Sequence, residues 1–261
     1  MTKIMWYRVA TAVVLALLMS GRVSAQVASL TASGFMESFD SMGQDGDTPP
    51  NGWSVWTIPG SNTTWQPPPV GIGIDPTQMS PELFGTPRGP LRAWVLPSFG
   101  PAATNNNGWN MASDDTPDDR SLAGGPTGVA GAVLELVLSN DSGSDVTALA
   151  ISYDIRSFQV GSGGADELPG FWLFYSLDGG VTYTNVSDLN PDNNSVPNTA
   201  YNVTHIPMDL TGSPTYVIDL SATPLTAGSM ISFCWVDDNG IASSPDQLIG
   251  LDNVTITIPS M

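Results

Sequence analysis

The sequence predicts an all-β protein, and three observations support that prediction. Gly (27) and Pro (22) are spread through the 261 residues, and no 12-residue stretch repeats its apolar positions every 3.6 residues as an amphipathic helix would. Short runs rich in β-branched and aromatic residues recur instead, bounded by Gly, Asn, Asp or Ser. Asp outnumbers Glu about fivefold, and Asp favours turns whereas Glu favours helices. These features together favour one β-sandwich with long loops.

The first 25 residues predict a secretory signal peptide. Lys3 and Arg8 precede the apolar run from Val9 to Met19, and Val23-Ser24-Ala25 supplies small residues at a signal-peptidase site. The apolar run is about half the ~20 residues that a bilayer-spanning helix needs, although a retained anchor is the alternative interpretation. We expect cleavage before Gln26, no membrane span in the mature chain, and a secreted, extracellular product.

Nine runs are strand candidates in the remaining domain, residues 26–261. In chain order they are Phe35–Phe39, Trp53–Ile58, Leu91–Leu96, Ala132–Leu138, Ala148–Ile155, Phe171–Leu177, Tyr216–Leu220, Met230–Val236 and Leu248–Ile258. The fourth shows the pattern best, because Leu134, Leu136 and Leu138 share one face while Glu135 lies on the other. About nine to eleven strands in roughly 236 mature residues make a single sandwich domain.

The two halves of the domain differ in strand density. Residues 41–129 are rich in loop signals, whereas residues 130–258 are dense in strands. Five tryptophans in the first half argue against disorder there. We therefore expect long loops and edge strands that cover one sandwich.

Charge limits the partners that the mature chain can bind. Three of the seven basic residues leave with the signal peptide, and no lysine remains. The 25 acidic residues then face four arginines, which gives a formal charge of −21. Such a charge repels nucleic acid and anionic membrane surfaces. Cations and neutral ligands are the expected partners.

The mature chain has few residues suited to catalysis. A Ser-His-Asp triad would depend on the lone His205, and a Cys-His pair on Cys234, which lies in a predicted strand interior. One cysteine also excludes an intrachain disulfide. Paired carboxylates stay open as an alternative, with Glu135 the best single candidate for a glycoside hydrolase or polysaccharide lyase. A solvated strand residue is the simpler interpretation of Glu135.

One local motif is specific. Ser176-Leu-Asp178-Gly-Gly180-Val-Thr182-Tyr183 matches the Asp-box pattern Ser-x-Asp-x-Gly-x-Thr-aromatic. We expect a β-hairpin in which the Asp178 carboxylate accepts backbone N–H groups across a glycine-bearing turn and the aromatic residue packs beneath. Because the chain has one copy, the motif indicates a structural hairpin.

The motifs together resemble a broad group of secreted bacterial jelly-roll domains of concanavalin-like and MAM-like type. They are Glu37-Ser-Phe-Asp40, Asp119-Arg-Ser-Leu122, the hairpin Phe174 to Tyr183, Trp235-Val-Asp-Asp-Asn239, and Ile249 to Ile256. The resemblance implies a jelly roll with two antiparallel sheets. It implies no particular activity, since such sandwiches serve binding, adhesion and catalysis alike.

In folds of this kind the first and last strands usually pair, which would bring Glu37 and Asp40 near Asp252. Carboxylates and backbone carbonyls at a sheet edge suit Ca²⁺, and we predict a calcium site there. The alternative is that Asp252 and Asn253 bond the backbone at a bulge while Glu37 faces water.

Tryptophans suggest a ligand surface. Trp53, Trp56, Trp65 and Trp109 lie in loop-rich sequence, and exposed indoles there would stack on sugar rings. Filling gaps beneath long loops is the alternative role. We expect one or two of these indoles to be exposed.

The sequence thus predicts a secreted, non-catalytic module that binds a glycan or another cell-surface ligand and is stabilised by calcium. The alternatives are a carboxylate-dependent hydrolase or lyase, and a structural or adhesive envelope protein.

Overall fold

The computed structural model describes residues 26–58, 87–88, 92–95, 108–113, 115–126, 131–160, 170–191, 196–197, 199, 202–208, 212–238 and 247–260. Fifteen strands lie within these ranges. They are β1 (Ala28–Leu30), β2 (Phe35–Glu37), β3 (Trp53–Ile58), β4 (Pro87–Arg88), β5 (Arg92–Val95), β6 (Trp109–Ser113), β7 (Thr116–Gly124), β8 (Gly131–Asn140), β9 (Ala148–Gln159), β10 (Trp172–Ser176), β11 (Thr184–Asn185), β12 (Asn202–Ile206), β13 (Tyr216–Asp219), β14 (Met230–Asp238) and β15 (Leu248–Thr257). Short 3₁₀ turns occupy Asp40–Met42 and Ser187–Leu189.

The strands form two packed sheets, which confirms the predicted β-sandwich. The seven-stranded sheet has the order β11-β10-β14-β8-β3-β4, with β1 beside β8. The eight-stranded sheet has the order β12-β9-β15-β7-β6-β5, with β13 beside β9 and β2 beside β15. The expectation of purely antiparallel sheets is corrected in one respect, because β1 pairs with β8 and β5 with β6 in parallel.

The pairing shows the jelly-roll topology. The later strands run back along the earlier ones in reverse order, so that β7 pairs with β15, β8 with β14, β9 with β12 and β13, and β10 with β11. One long folded ribbon is therefore wrapped into two sheets. This wrapping places the β10–β11 turn and the β13–β14 connection on neighbouring parts of the molecule.

The main core lies between the sheets and follows the period-two alternation. Leu134, Leu136 and Leu138 of β8 point inward, as predicted, and Ile151 and Tyr153 of β9 meet them from the other sheet. Each fully buried aliphatic side chain contributes about 1.5–3 kcal/mol of transfer free energy. Two smaller apolar clusters lie on outer faces, one centred on Trp56 and Trp172 and one on Trp109 and Phe158.

All nine predicted strands are present, some with shifted ends, but the expected count of nine to eleven was too low among the described residues. The strands missed are β1, β4, β6, β7, β11 and β12. The longest of these, β7, lies in the half interpreted as loops. Its Arg120 is fully buried, with Nε donating to Asn110 Oδ1 at 2.6 Å and Nη1 to the Pro117 carbonyl at 3.0 Å. Arg120 is thus held in place by hydrogen bonds within the protein.

Candidate functional site

Three of the four indoles expected to bind ligand, those of Trp53, Trp56 and Trp109, lie in strands. Trp53, Trp56 and Trp109 are only 4%, 3% and 2% exposed. Trp53 packs edge-on against Phe39 at 4.9 Å in the main core, while Trp56, three residues along the same strand, faces the outer cluster. These three indoles therefore offer no stacking surface and instead fill space in the interior, which was the alternative role. The fourth, Trp65, lies outside the described residues.

Glu135 lies on the outward face of β8, as the alternation predicted, but it is not solvated. Its side chain is buried, and Oε2 accepts a hydrogen bond from Trp56 Nε1 at 2.8 Å and another from Ser54 Oγ at 3.2 Å. The carboxylate thus satisfies an indole N–H beneath the outer cluster, a structural use of a buried polar group.

The strand pairing expected around the predicted calcium ligands is present. Glu37 lies on β2, which pairs with β15 two positions from Asp252. Glu37 Oε1 accepts the backbone N–H of Phe39 at 2.7 Å, and Asp40 Oδ1 accepts that of Arg120 at 2.8 Å. Burial raises the pKa of Glu37, although the backbone hydrogen bonds of Phe39 and Ser38 oppose that rise.

Asp252 faces a cation that the protein supplies. Arg156 Nε lies 2.8 Å from Asp252 Oδ2, without the alignment of a hydrogen bond, and Arg156 Nη2 contacts Asp119 Oδ2. Asn253, at φ 48°, donates its N–H to Asp252 Oδ1 at 2.7 Å. Burial raises the pKa of Asp252 to about 7, outweighing the attraction of Arg156. We call Arg156, Asp119 and Asp252 the guanidinium cluster.

The calcium prediction stays a prediction. Among the described residues, no group of three or more His, Cys, Asp or Glu side chains is arranged to hold a metal ion. The guanidinium of Arg156 lies beside Asp252, one of the three predicted calcium ligands. Sequence reasoning missed Arg156 because its partners come from β7 and β15, far away in the chain.

His205 also lies on the outer face of the eight-stranded sheet. Its Nδ1 is 2.8 Å from Asp154 Oδ1 and its Nε2 is 3.1 Å from the Pro214 carbonyl. Asn253 Nδ2 donates to the other oxygen of Asp154 at 2.9 Å. Because both ring nitrogens face acceptors, the doubly protonated ring suits the site. The nitrogen that a serine nucleophile would need is thus turned to a backbone carbonyl.

The Asp-box forms the hairpin that the sequence predicted, between β10 and β11. Asp178 Oδ1 accepts the N–H groups of Val181 at 3.0 Å and Thr182 at 2.9 Å. Asp178 Oδ2 accepts the Thr182 hydroxyl at 2.6 Å. Gly179 and Gly180 take φ values of 74° and 82°, which favour glycine. Burial alone would raise the pKa of Asp178, but these hydrogen bonds outweigh it and lower the pKa to about 2.

The two faces of this hairpin have different environments. Tyr183 packs against the outer cluster of Trp56 and Trp172, as expected of the motif's aromatic residue. Tyr175, on the inward face of β10, is only partly buried at the edge of the main core. The Tyr175 ring therefore borders open space between the two sheets.

A cleft of about 330 Å³ occupies that space. It lies between the Asp-box turn on one sheet and the end of β13 with the following turn on the other. The described residues that line it are Tyr175, Ser176, Leu177, Asp178, Thr182, Thr184, Asp219, Leu220, Ala222 and Thr223. An aromatic ring, hydroxyls and carboxylates in one concave place are what a polar, ring-shaped ligand requires.

The second carboxylate of the cleft is also held by local geometry. Asp219 Oδ1 accepts the N–H of Ser221 at 2.8 Å, and hydrogen bonds from Ser221 lower the pKa of Asp219. Neither carboxylate was among the predicted ligand residues. The Asp-box motif pointed to Asp178, whereas no sequence signal placed Asp219 opposite it.

Comparisons with known proteins give no independent assignment. A scan against protein-family models and a search of curated proteins found no match to the chain. In the described part of the chain, no helix is long and apolar enough to cross a membrane.

Proposed function

We propose that the protein is a secreted, non-catalytic module that binds carbohydrate in the cleft between the Asp-box hairpin and the β13–β14 connection. The observation that supports this best is the lining of the cleft, where Tyr175 lies among hydroxyls and two carboxylates. Aromatic faces pack on the apolar faces of sugar rings, and side-chain oxygens accept or donate hydrogen bonds to sugar hydroxyls.

The jelly-roll scaffold supports this position for a ligand. The cleft is built from strand ends and from the connections that follow them, and binding residues commonly lie on connections that a rigid scaffold holds in place. The Asp178 hydrogen bonds order the hairpin turn before a ligand arrives, so that less conformational entropy is lost on binding.

A matched pair of variants in one hairpin tests the proposal. Tyr175→Leu removes the aromatic face from the cleft, whereas Tyr183→Leu removes an aromatic ring that packs on the outer cluster. We expect Tyr175→Leu to weaken retention on insoluble glycans about tenfold, corresponding to the ~1–2 kcal/mol of an aromatic contact. Tyr183→Leu should retain wild-type binding even where it lowers the melting temperature. Equal retention by Tyr175→Leu and wild type would sink the proposed site.

The absence of turnover is the second part of the proposal. It is supported by the engagement of both His205 nitrogens and by the burial of Glu135 against Trp56. We expect no reducing sugar to be released from common polysaccharides. Release by wild type but not by Glu135→Gln would favour the hydrolase alternative.

Export and calcium complete the proposal, and each has its own test. Export is supported by the apolar run and small-residue site of the first 25 residues, and N-terminal sequencing of the exported protein should begin at Gln26. A product that keeps Met1 in the membrane would contradict export.

Calcium binding is supported by the negative net charge of the predicted mature chain, and saturating calcium should raise the melting temperature relative to EDTA. An unchanged midpoint would remove calcium from the account.

A further inference from the structure

The described lining of the cleft carries charge of one sign. Asp178 and Asp219 contribute carboxylates, and no lining residue that the structure describes is basic. Hydrogen bonds keep the pKa of both groups below its ordinary value. Both therefore stay ionised well into the acidic range.

The arginines of the predicted mature chain lie far from this charge. Arg88 and Arg92 are on β4 and β5, at the opposite edges of the sheets from β11 and β13. Five strand spacings of ~4.8 Å make that separation about 24 Å. Arg156 lies eight residues along β9 from the position paired with Asp219, about 26 Å at ~3.3 Å per residue. Arg120 is buried three strands away from β13.

The four arginines of the predicted mature chain therefore do not neutralise the negative charge of the cleft, and a positively charged ligand would complement it. We propose that the cleft selects glycans that carry free amino groups over neutral or uronic-acid glycans. This inference rests on the carbohydrate-binding function proposed above and names the class of sugar.

Each part of an amino sugar has a counterpart in the cleft. The protonated amine is attracted by Asp178 and Asp219, and a cation also interacts favourably with the face of an aromatic ring such as Tyr175. The sugar hydroxyls meet the hydroxyls of Thr184 and Thr223. A uronic-acid carboxylate would meet like charge, which disfavours it. Selectivity thus comes from attraction of glycans that carry free amino groups and repulsion of uronic-acid glycans.

Three matched oligosaccharides test the selectivity by calorimetric titration at about pH 5.5, where free Asp carboxyls are ionised. They are tetramers of glucosamine, of N-acetylglucosamine and of glucuronic acid. We expect the glucosamine tetramer to bind about tenfold more tightly than its acetylated counterpart, and the glucuronic-acid tetramer not to bind. The preference should shrink as salt rises from ~20 to ~300 mM, because solvent-exposed charges are screened.

Two charge-neutralising variants assign the effect to the cleft. Asp219→Asn should lower the affinity for the glucosamine tetramer about fivefold and leave the acetylated tetramer unchanged. Asp47→Asn removes the same charge outside the cleft, where Asp47 accepts a hydrogen bond from Thr48, and should change neither affinity.

The outcomes separate this inference from the function on which it rests. Equal affinity for both hexosamine tetramers, unaltered by Asp219→Asn, would overturn the amine preference while sugar binding stands. Failure of all three tetramers to bind would overturn both proposals. A calcium-induced rise in melting temperature that Asp219→Asn abolishes, with no glucosamine binding, would replace the amine by a metal ion.

Discussion

Two aspartates that the sequence singled out have opposite environments. In the Asp-box turn, Asp178 is exposed and accepts hydrogen bonds from residues within four positions of it, and its pKa falls to about 2. In the guanidinium cluster, Asp252 is fully buried beside Arg156 from another strand, and its pKa rises to about 7. At Asp178 the hydrogen bonds to the charged form together outweigh burial and lower the pKa. At Asp252 loss of hydration is the larger effect and raises the pKa.

The difference shows which interactions a sequence reveals. The donors to Asp178 lie on the same turn, so the motif itself specifies them. The partners of Asp252 come together only when β7, β9 and β15 pair. The same residue type is thus a predictable turn element in one region and a product of tertiary structure in the other.

The largest expected effect comes from removing the cation of the guanidinium cluster. Arg156→Met should lower the free energy of unfolding by about 3 kcal/mol at pH 8, since it leaves the buried Asp252 carboxylate without its ion pair. At pH 5 the loss should fall to about 1 kcal/mol, because a carboxyl group with a pKa of about 7 is then neutral. Urea titrations at both pH values measure the difference.

The double variant Arg156→Met/Asp252→Asn is the matched control. Removing both charges should recover at least half of the stability lost at pH 8. A loss of stability in Arg156→Met that is equally large at both pH values, relative to wild type, would contradict the role assigned to the ion pair.

The pH dependence of stability should separate the two aspartates. Asp252 has a pKa raised to about 7 from 3.8, so the folded protein binds more protons between those values and its stability falls as pH rises from 4 to 7. Asp178 has a pKa lowered to about 2, so its contribution is present above pH 4 and is lost toward pH 2. Asp252→Asn should remove roughly 2 kcal/mol of the fall in stability between pH 4 and 7. Asp178→Asn should remove part of the fall in stability toward pH 2. Identical profiles for Asp252→Asn and wild type between pH 4 and 7 would refute the first assignment.

The Asp-box turn should tolerate loss of its carboxylate better than the guanidinium cluster tolerates loss of its cation. Asp178→Ala removes the acceptor for the Val181 and Thr182 N–H groups, which water can then reach. We expect a cost of about 1 kcal/mol at pH 7, measured by thermal unfolding. Asp47→Ala, which removes another exposed carboxylate, should cost less than half as much. A loss above ~3 kcal/mol would mean that the turn supports the core and not only the hairpin.

The smallest effect concerns His205, which is about half exposed. Burial opposes protonation, but hydrogen bonds to Asp154 and Pro214 raise its pKa. Its stabilising contribution is therefore present below its unfolded pKa of ~6.5 and is lost as pH rises through the higher folded value. His205→Ala should cost about 0.5 kcal/mol at pH 5.5 and almost nothing at pH 8.5. Val203→Ala, at an exposed position on the same strand, should show no such pH dependence.

The nine predicted strands could be recognised from the sequence because the alternation of apolar and polar residues along a strand is a local property. Sequence reasoning missed β7 because Thr116-Pro-Asp-Asp-Arg120 is polar, and only the tertiary structure buries Arg120 against Asn110. It proposed Trp53, Trp56 and Trp109 as candidates for an exposed ligand surface because the surrounding sequence is rich in loop signals, whereas these large apolar rings are buried in the clusters. The cleft depends on Asp178 and Asp219, 41 positions apart in the chain, and required the wrapped topology to be found.

Hydrogen exchange in the presence of a bound glycan tests the central claim most directly, because it maps the contact without a mutation. With the glucosamine tetramer at saturation, we predict added protection in residues 175–184 and 216–223, which contain the residues that line the cleft, and none in β3 or β6, which carry Trp53, Trp56 and Trp109. Protection centred on β3 or β6, with none in the two cleft segments, would contradict the account and return the ligand site to the tryptophans.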